Sequence, residues 1–135
     1  MTLTSVVILT KNAGPEFSTI LEMVRKQKVQ SQVEIIVIDS GSSDHTLTIS
    51  RKFKARILQI QPAEFSHGGT RNLGIRLAKG EFVVLLVQDA IPFNNHWLQA
   101  LLDNLKNDQK VAGVYSRQIP RPDCNIFTKH ALENF

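Results

Sequence analysis

Three short polar segments directly follow apolar runs of the sequence, and they hold the residues best suited to chemistry. They span residues 10–12, 39–44 and 88–90. Two acids, Asp39 and Asp89, stand in the second and third of these segments. A carboxylate accepts hydrogen bonds from a nucleobase or a ribose, and it also bridges Mg²⁺ to the phosphates of a substrate. Because a nucleoside diphosphate needs both contacts, the two acids together indicate a nucleotide site.

Both acids also have a plainer interpretation. Asp39 would equally cap the turn after a strand, and Asp89 would equally be a loop carboxylate in contact with water. Asp44 is best explained as a helix cap, because an acid in the first turn is stabilised by the helix dipole. The sequence alone leaves the choice for Asp39 and Asp89 open.

A further polar segment, residues 65–72, combines paired glycines with His67 and Arg71. The glycines allow a ligand to approach the backbone, and the helix that they introduce offers free N–H groups to an anion. Arg71 would make a forked contact to a diphosphate, or would pair instead with a structural carboxylate. We expect His67 to be a loop or capping residue. The glycine patterns of dinucleotide-binding and phosphate-binding loops are absent, which argues against a dehydrogenase or an NTPase.

Alternating strands and helices are predicted to position these segments. Apolar runs rich in β-branched residues are typical of strands covered on both faces of a parallel sheet. The predicted strands are 5–9, 34–38 and 82–87, with weaker ones at 56–60 and 111–115. The predicted helices are 15–28, 43–54, 69–78 and one that begins at Asn94 or Asn95. This order predicts an α/β three-layer sandwich with a mostly parallel, Rossmann-like sheet whose carboxyl edge binds the ligand.

The composition is that of one folded domain covering residues 1–135. It is 42% hydrophobic and 21% charged, and its single cysteine excludes an internal disulfide. Sixteen Lys and Arg against twelve Asp and Glu suit a phosphorylated ligand or an anionic membrane face, or simply a solvated surface. No nucleic-acid-binding pattern is present, so we expect no nucleic-acid partner. No run approaches the ~20 apolar residues of a membrane span, so we expect a cytoplasmic protein.

The motifs resemble, in order and spacing, those of family 2 glycosyltransferases. The most specific are Asp-Ser-Gly-Ser-Ser-Asp at 39–44 and Arg-Asn-Leu-Gly at 71–74, supported by 6–12 and 80–82. Residues 65–69, 88–90 and 117–122 look like the bacterial rhamnosyltransferase branch. The resemblance covers nearly the whole chain.

This resemblance implies a GT-A fold, a nucleotide-sugar donor, inverting transfer and a Mg²⁺ or Mn²⁺ ion on the diphosphate. It places Thr10 and Asn12 in the nucleotide pocket, Asp39 on the nucleobase, Arg71 by the phosphates and Asp89 on the metal. Gly41, Ser42 and Gln88 are predicted to belong to the same nucleotide site. The family's acidic metal motif is reduced to Asp89, because Val87 and Ala90 replace its other acids, and this predicts weak metal binding without donor.

The resemblance also implies that the chain is the donor-binding half, with the acceptor-binding half and its general base absent after about residue 116. Asp123 and Glu133 are expected to be surface residues, and the catalytic base is therefore unknown. The acceptor would be a polysaccharide or a lipid-linked sugar, with contact to the inner face of the plasma membrane and a homodimer as further possibilities. The alternatives are a non-catalytic nucleotide-binding or assembly module and, less well matched, a sugar nucleotidyltransferase.

Overall fold

The computed structural model of the chain describes residues 2–133, and its centre is a four-stranded, wholly parallel sheet. The strands are β1 (Leu3–Thr10), β2 (Gln32–Asp39), β3 (Arg56–Gln59) and β4 (Phe82–Val87). Their order across the sheet is β3-β2-β1-β4. The four predicted strands from 5–9 to 82–87 are therefore confirmed, and so is the parallel α/β class.

Five helices and one 3-10 turn connect or follow these strands within the described residues. They are α1 (Phe17–Arg25), α2 (Thr46–Lys52), the 3-10 turn Pro62–Glu64, α3 (His67–Leu77), α4 (Trp97–Asn107) and α5 (Ile126–Glu133). The four predicted helices are confirmed, although α1 and α2 are shorter than expected. The sequence pattern did not predict α5. No helix among these residues combines the length and apolarity that crossing a bilayer requires.

The central strands β1 and β2 are covered on both faces, which explains their continuous apolar runs. On the edge strand β4, Leu85 and Val87 stay 45% and 44% exposed. Successive side chains of a strand point to opposite faces. Val6, Ile8, Ile35 and Val37 pack with the buried side of α1 on one face, where Ile49 and Phe53 of the α2 region join them. On the other face, Val7, Ile36 and Ile38 pack with Leu73 and Leu77 of α3. The three-layer arrangement predicted from the sequence is therefore confirmed.

Helix α4 belongs to the same face as α1. The Lys106 ammonium lies 5.3 Å from the centre of the Phe82 ring, and Phe82 points to the α1 side of β4. The Gln27 side chain accepts a hydrogen bond from the Leu98 amide, which ties the start of α4 to the end of α1. Leu98 and Leu102 are buried. Helix α4 thereby covers the edge strand β4 from one side.

The predicted strand at 111–115 is wrong. These residues form no strand and no helix in the structure, and the Tyr115 side chain is 95% exposed. A turn precedes them, in which the Val111 amide donates to the Asp108 carbonyl. A strand is stable only when it pairs with a neighbour and packs its side chains. Gly113 at the centre of this short segment has no side chain to pack, which weakens a strand there.

Gly74 lies where α3 packs directly on β1. A Cβ atom added to Gly74 would lie 2.4 Å from Cγ1 of Val7, a buried β-branched residue of the central strand. The glycine therefore sets the distance between the helix and the sheet. Since α3 also begins at the carboxyl edge of the sheet, this contact fixes where Arg71 stands.

We expect Gly74→Ala to lower the free energy of unfolding by at least about 1 kcal/mol, because overpacking a well-packed core forces strain that exceeds the helix propensity gained. Gly68→Ala in the same helix is the matched control, since nothing lies within 4 Å of its added Cβ atom. Urea denaturation of both variants measures the difference. Equal stability of the two variants would show that α3 is free to move outward.

Candidate functional site

A cleft of about 520 Å³ opens at the carboxyl edge of the sheet, and we call it the edge cleft. The strand register brings Thr10 beside Asp39, and Val87 beside Leu9, at this edge. The floor is apolar and consists of Val7, Leu9, Leu85, Leu86 and Val87, with Pro62 and Phe65 at one side. The polar lining residues are Thr10, Lys11, Ser40, His67, Arg71, Gln88 and Asp89. An apolar floor with a few polar groups around it is typical of a small-molecule site.

Asp39 lies behind the edge cleft, and its residue surface is 0% exposed. Its Oδ2 atom accepts hydrogen bonds from the hydroxyls of Thr10 (2.8 Å) and Ser42 (2.5 Å). Its Oδ1 atom accepts from the backbone amides of Gly41 (3.0 Å) and Ser42 (2.8 Å). These four bonds engage both carboxylate oxygens, so Asp39 holds the turn that follows β2.

The same contacts control the charge of Asp39. Burial raises the pKa of its carboxyl group, but the hydrogen bonds from Ser42, Thr10 and Gly41 outweigh burial and leave the pKa below its ordinary value. Hydrogen bonds to the ionised form of a carboxyl group favour that form. Asp39 is therefore a buried carboxylate whose charge is compensated by four donors.

Two loops at this edge hold each other in place. The Asn12 amide donates to the Ser42 hydroxyl, and the Ser43 amide donates to the Asn12 side chain. The Gly14 amide donates to the Asp44 carboxylate, whose other oxygen accepts from the Thr46 amide and hydroxyl. Asn12 adopts a φ of 47°, a conformation that asparagine tolerates better than most residues. The loop after β1 and the loop after β2 therefore form one rigid unit.

Asp44 behaves as the sequence predicted for a cap. Its hydrogen bonds from the Thr46 hydroxyl and amide lower the pKa of its carboxyl group, and the Gly14 amide adds to the effect. The carboxylate also extends to the neighbouring loop, so the cap links the two loops.

Gly41 and Lys11 shape the rim of the cleft. Gly41 has a φ of +93°, and a Cβ atom added there would lie 3.1 Å from Pro62 and 3.3 Å from the Lys11 ammonium. Lys11 donates to the Ser40 carbonyl at 3.1 Å, so its charge stays at the rim. Only glycine accepts this backbone conformation without strain while leaving room for Lys11.

Gln88 joins the tips of β1 and β4. Its side-chain oxygen accepts from the Lys11 amide at 2.9 Å, and its side-chain nitrogen donates to the Lys11 carbonyl at 3.3 Å. Gln88 thereby fixes the backbone that carries Lys11 on one side and Asp89 on the other.

Arg71 is the cation most available to a ligand. It lines the edge cleft and is partly buried. Its guanidinium makes no hydrogen bond or ion pair with any residue from 2 to 133. The alternative that Arg71 pairs with a structural carboxylate is therefore not realised among these residues. A forked guanidinium without a protein partner is suited to a phosphate or carboxylate group of a ligand.

The N-terminal end of α3 meets the same cleft. Ser66 caps the helix by accepting from the Gly69 amide at 3.1 Å. His67, the first residue of α3, lies in an edge-to-face contact with Phe65 at 5.1 Å between ring centres. The sequence predicted a loop or capping role for His67, whereas the structure adds it to the lining of the cleft.

Asp89 stands exposed at the opposite side of the edge cleft. Its carboxylate accepts no hydrogen bond from the described residues, while its backbone carbonyl accepts one from Arg121. Residues 2–133 contain no group of three or more His, Cys, Asp or Glu residues that could hold a metal ion. Mg²⁺ and similar ions are often bound by one carboxylate together with substrate phosphates and water. Asp89 fits a site of that kind, in which the ligand supplies most of the donor atoms.

The structure separates the predicted site residues into two groups. Thr10, Arg71, Gln88 and Asp89 line the edge cleft, whereas Asn12, Asp39, Gly41 and Ser42 build the loops behind it. Ligand contact by each of them stays a prediction. The predicted site residues did not include Lys11 and Ser40, although both stand in the polar segments 10–12 and 39–44 that follow predicted strands.

Three comparisons with known proteins bear on this site. The sequence model of glycosyl transferase family 2 matches residues 5–133. O-antigen chain rhamnosyltransferase WbaN of Salmonella anatum is 40% identical over 94% of this chain. RfbN of Salmonella typhimurium, also an O-antigen chain rhamnosyltransferase, is 33% identical over 94% of it. The chain spans 40% of the length of each of these two relatives.

Solved structures give the same picture of the fold. The crystal structure of S. aureus TarS 1–349 superimposes with a TM-score of 0.70 at 26% identity, covering 90% of this chain and 39% of that one. TarS of Staphylococcus aureus is a poly(ribitol-phosphate) β-N-acetylglucosaminyltransferase, and its structure is also known in complexes with UDP and with UDP-GlcNAc. The expected GT-A type of α/β fold is confirmed by this match.

Proposed function

The chain belongs to glycosyl transferase family 2, and we propose that it binds the nucleoside-diphosphate sugar from which such an enzyme transfers the sugar. The single observation that supports this most strongly is the edge cleft itself. It presents two cations, Lys11 and Arg71, and one carboxylate without a hydrogen-bonding partner, Asp89, around an apolar floor. The proposed nucleoside-diphosphate sugar has matching parts, namely a flat base and a diphosphate with two negative charges.

The diphosphate is proposed to lie between Arg71 and Asp89. Arg71 donates to phosphate oxygens in a forked contact, and the first amides of α3 add partial positive charge. Lys11 stands at the rim and raises the local positive potential without losing its bond to Ser40. The base is proposed to lie against the apolar floor and near Thr10, whose hydroxyl is already oriented by Asp39.

Mg²⁺ or Mn²⁺ is proposed to bind with the donor, and Asp89 is the residue that would hold it. When bound, such an ion would stabilise the negative charge that develops on the diphosphate as the sugar leaves. The crystal structure of a structural neighbour supports this proposal, because glucosyl-3-phosphoglycerate synthase of Mycobacterium tuberculosis was crystallised with Mn²⁺ and UDP. That structure is 26% identical to this chain with a TM-score of 0.55.

The transferred sugar is proposed to be rhamnose, moved with inversion to a polysaccharide or lipid-linked acceptor. The similarity to WbaN and RfbN supports the sugar, whereas the similarity to TarS supports only a nucleotide-sugar donor. Asp123 lies exposed and no hydrogen bond orients it as a general base, so the base stays unassigned. The boundary near residue 116, the cytoplasmic location, the membrane contact and the homodimer also stay predictions.

A non-catalytic nucleotide-binding module is the second candidate, because the cleft contains a single carboxylate among the described residues. Both candidates predict nucleotide binding, and only the first predicts slow release of the sugar from a nucleotide sugar to water. A coupled assay of nucleoside-diphosphate release separates them.

We expect Asp89→Asn to abolish the gain in UDP or dTDP affinity that Mn²⁺ produces in the wild-type chain. The asparagine amide lacks the charge that attracts the ion. Loss of a metal ligand should lower the affinity for the ion tenfold or more, since even residues that only contact the ligands commonly change metal affinity about 10–100-fold. Isothermal titration with each nucleotide, in EDTA and in Mn²⁺, measures the gain.

Asp103→Asn is the matched control for this experiment. It removes the same charge from α4, where Asp103 accepts a hydrogen bond from Gln99 and is not among the residues that line the edge cleft. It should retain the full Mn²⁺ effect. If Asp89→Asn also retains it, the proposed metal site is wrong; if the wild-type chain binds neither nucleotide, the proposed function is wrong.

A further inference from the structure

A second cleft of about 770 Å³ lies beside the edge cleft and shares Leu86, Val87 and Asp89 with it. One of its walls is formed by residues 116–124, which we call the strap. The strap joins α4 to α5 and contains no strand and no helix. Asp89 therefore stands at the junction of the two clefts, and the strap lies on its outer side.

Arg121 connects the strap to two other parts of the molecule. Its Nη1 atom donates to the Glu16 carboxylate at 2.9 Å, directly before α1. Its Nη2 atom donates at 2.8 Å to the backbone carbonyl of Asp89, which follows Gln88 at the tip of β4. The carboxylate of Glu16 is the main cause of a raised pKa for Arg121. The planar fork of one guanidinium thus spans two loops that are distant in sequence.

This geometry holds the backbone of Asp89 while leaving its carboxylate free. A single exposed ion pair contributes little to stability, typically 0–1 kcal/mol. The guanidinium has a different effect here, because its two donors point in fixed directions and set the relative position of the strap, α1 and the β4 tip. A lysine would keep the charge but would lack the second fixed arm.

We propose that Arg121 is a positioning residue that holds Asp89 in the orientation needed at the junction of the two clefts. The proposal rests on the proposed function, since it concerns how Asp89 meets the bound diphosphate and its ion. Arg121 itself touches neither the edge cleft nor the nucleotide proposed to bind there. Substitution of Arg121 should therefore change only the Mn²⁺-dependent part of the nucleotide affinity, which is the part assigned to Asp89.

Titration of UDP and of dTDP into Arg121→Gln, in EDTA and in Mn²⁺, tests this. We expect the affinity in EDTA to stay within about twofold of wild type, and the Mn²⁺-dependent gain to fall about three- to tenfold, the range for one charge-assisted hydrogen bond that is partly exposed. Arg121→Lys should recover only part of the gain. Urea unfolding should be unchanged, because the surface contacts contribute little to global stability.

Arg117→Gln is the control, because Arg117 belongs to the same strap but makes no hydrogen bond or ion pair with residues 2–133. It should behave as wild type. A purely structural role of Arg121 would lower affinity equally in EDTA and in Mn²⁺, which would overturn the proposal. If Arg121→Gln keeps the full Mn²⁺-dependent gain in affinity, the proposed role of Arg121 is wrong and the metal role of Asp89 is untouched. If Mn²⁺ raises the affinity of neither the wild-type chain nor Asp89→Asn, the proposed metal role and the role of Arg121 are both wrong.

Tryptic digestion gives a second readout that needs no ligand. Trypsin can cut after Arg117, whereas Pro122 protects the bond after Arg121. Glu16→Gln removes the charge of this contact and so weakens it, which should raise the initial rate of cleavage after Arg117 by about threefold, since local opening controls proteolysis. An equal rate in wild type and Glu16→Gln would show that the strap is not held by this contact.

Discussion

Asp39→Asn is expected to lower the free energy of unfolding by about 2–4 kcal/mol, since hydrogen bonds to charged groups contribute about 1.5–3 kcal/mol each and their loss leaves buried donors unpaired. The asparagine NH₂ group is a donor, so it would face some of the four donors that now bond to the carboxylate and could not accept their hydrogen bonds. Thr10 and Ser42 would lose an acceptor, and the turn after β2 would lose its anchor. Urea denaturation at neutral pH measures the loss.

The same substitution should change the pH dependence of stability. The folded-state pKa of Asp39 is lowered, so its stabilising contribution is complete above the unfolded value of about 3.9 and is lost as the pH falls through the folded value. Asp39→Asn should therefore flatten the acid limb of the stability curve. Asp44→Asn is the comparison, since its carboxylate is exposed and its loss should cost less. A larger loss in Asp44→Asn would contradict the central position given to Asp39.

Arg71→Gln is expected to weaken UDP and dTDP binding about 10–100-fold, the loss for one or two charge-assisted hydrogen bonds. The Arg71 guanidinium makes no hydrogen bond or ion pair within residues 2–133, so its substitution should leave stability close to wild type. Titration calorimetry measures the affinity, and thermal unfolding without ligand measures the stability.

Arg76→Gln provides the matched control, because Arg76 lies on α3 as well but is exposed and lines neither cleft. It removes the same charge from the same helix. Equal weakening in both variants would indicate that net charge, rather than a contact by Arg71, governs binding.

The sequence predicted the centre of the sheet well because β1 and β2 are covered on both faces. Runs such as 5–9 and 34–38 have no polar alternation, and a parallel strand buried on both faces explains that pattern together with intervening helices. The similar run 82–87 is an edge strand, on which Leu85 and Val87 are 45% and 44% exposed. The placement of polar segments at one edge followed from the parallel order alone. For the same reason Thr10, Gln88 and Asp89 could be assigned to one edge before any contact was known, whereas Arg71 was placed there by the family resemblance.

The partners of these residues could not be predicted, because they come from distant segments. The hydrogen bonds of Asp39 to Thr10, and of Gln88 to Lys11, join residues that no local pattern links. The Arg121 contacts to Glu16 and Asp89 are of the same kind. The segment 111–115 was misassigned as a strand because its short apolar run satisfies a local rule, whereas a strand also needs an edge to pair with.

The central claim is that the edge cleft binds a nucleoside diphosphate. Amide NMR spectra recorded during a titration with UDP, and separately with dTDP, test it most directly, since they locate the ligand without depending on turnover. The account predicts saturable shifts concentrated at residues 10–12, 40–42, 67–71 and 88–89 for at least one nucleotide. Saturable shifts confined to α2 and the outer side of α4, or no saturable shift with either nucleotide, would contradict it.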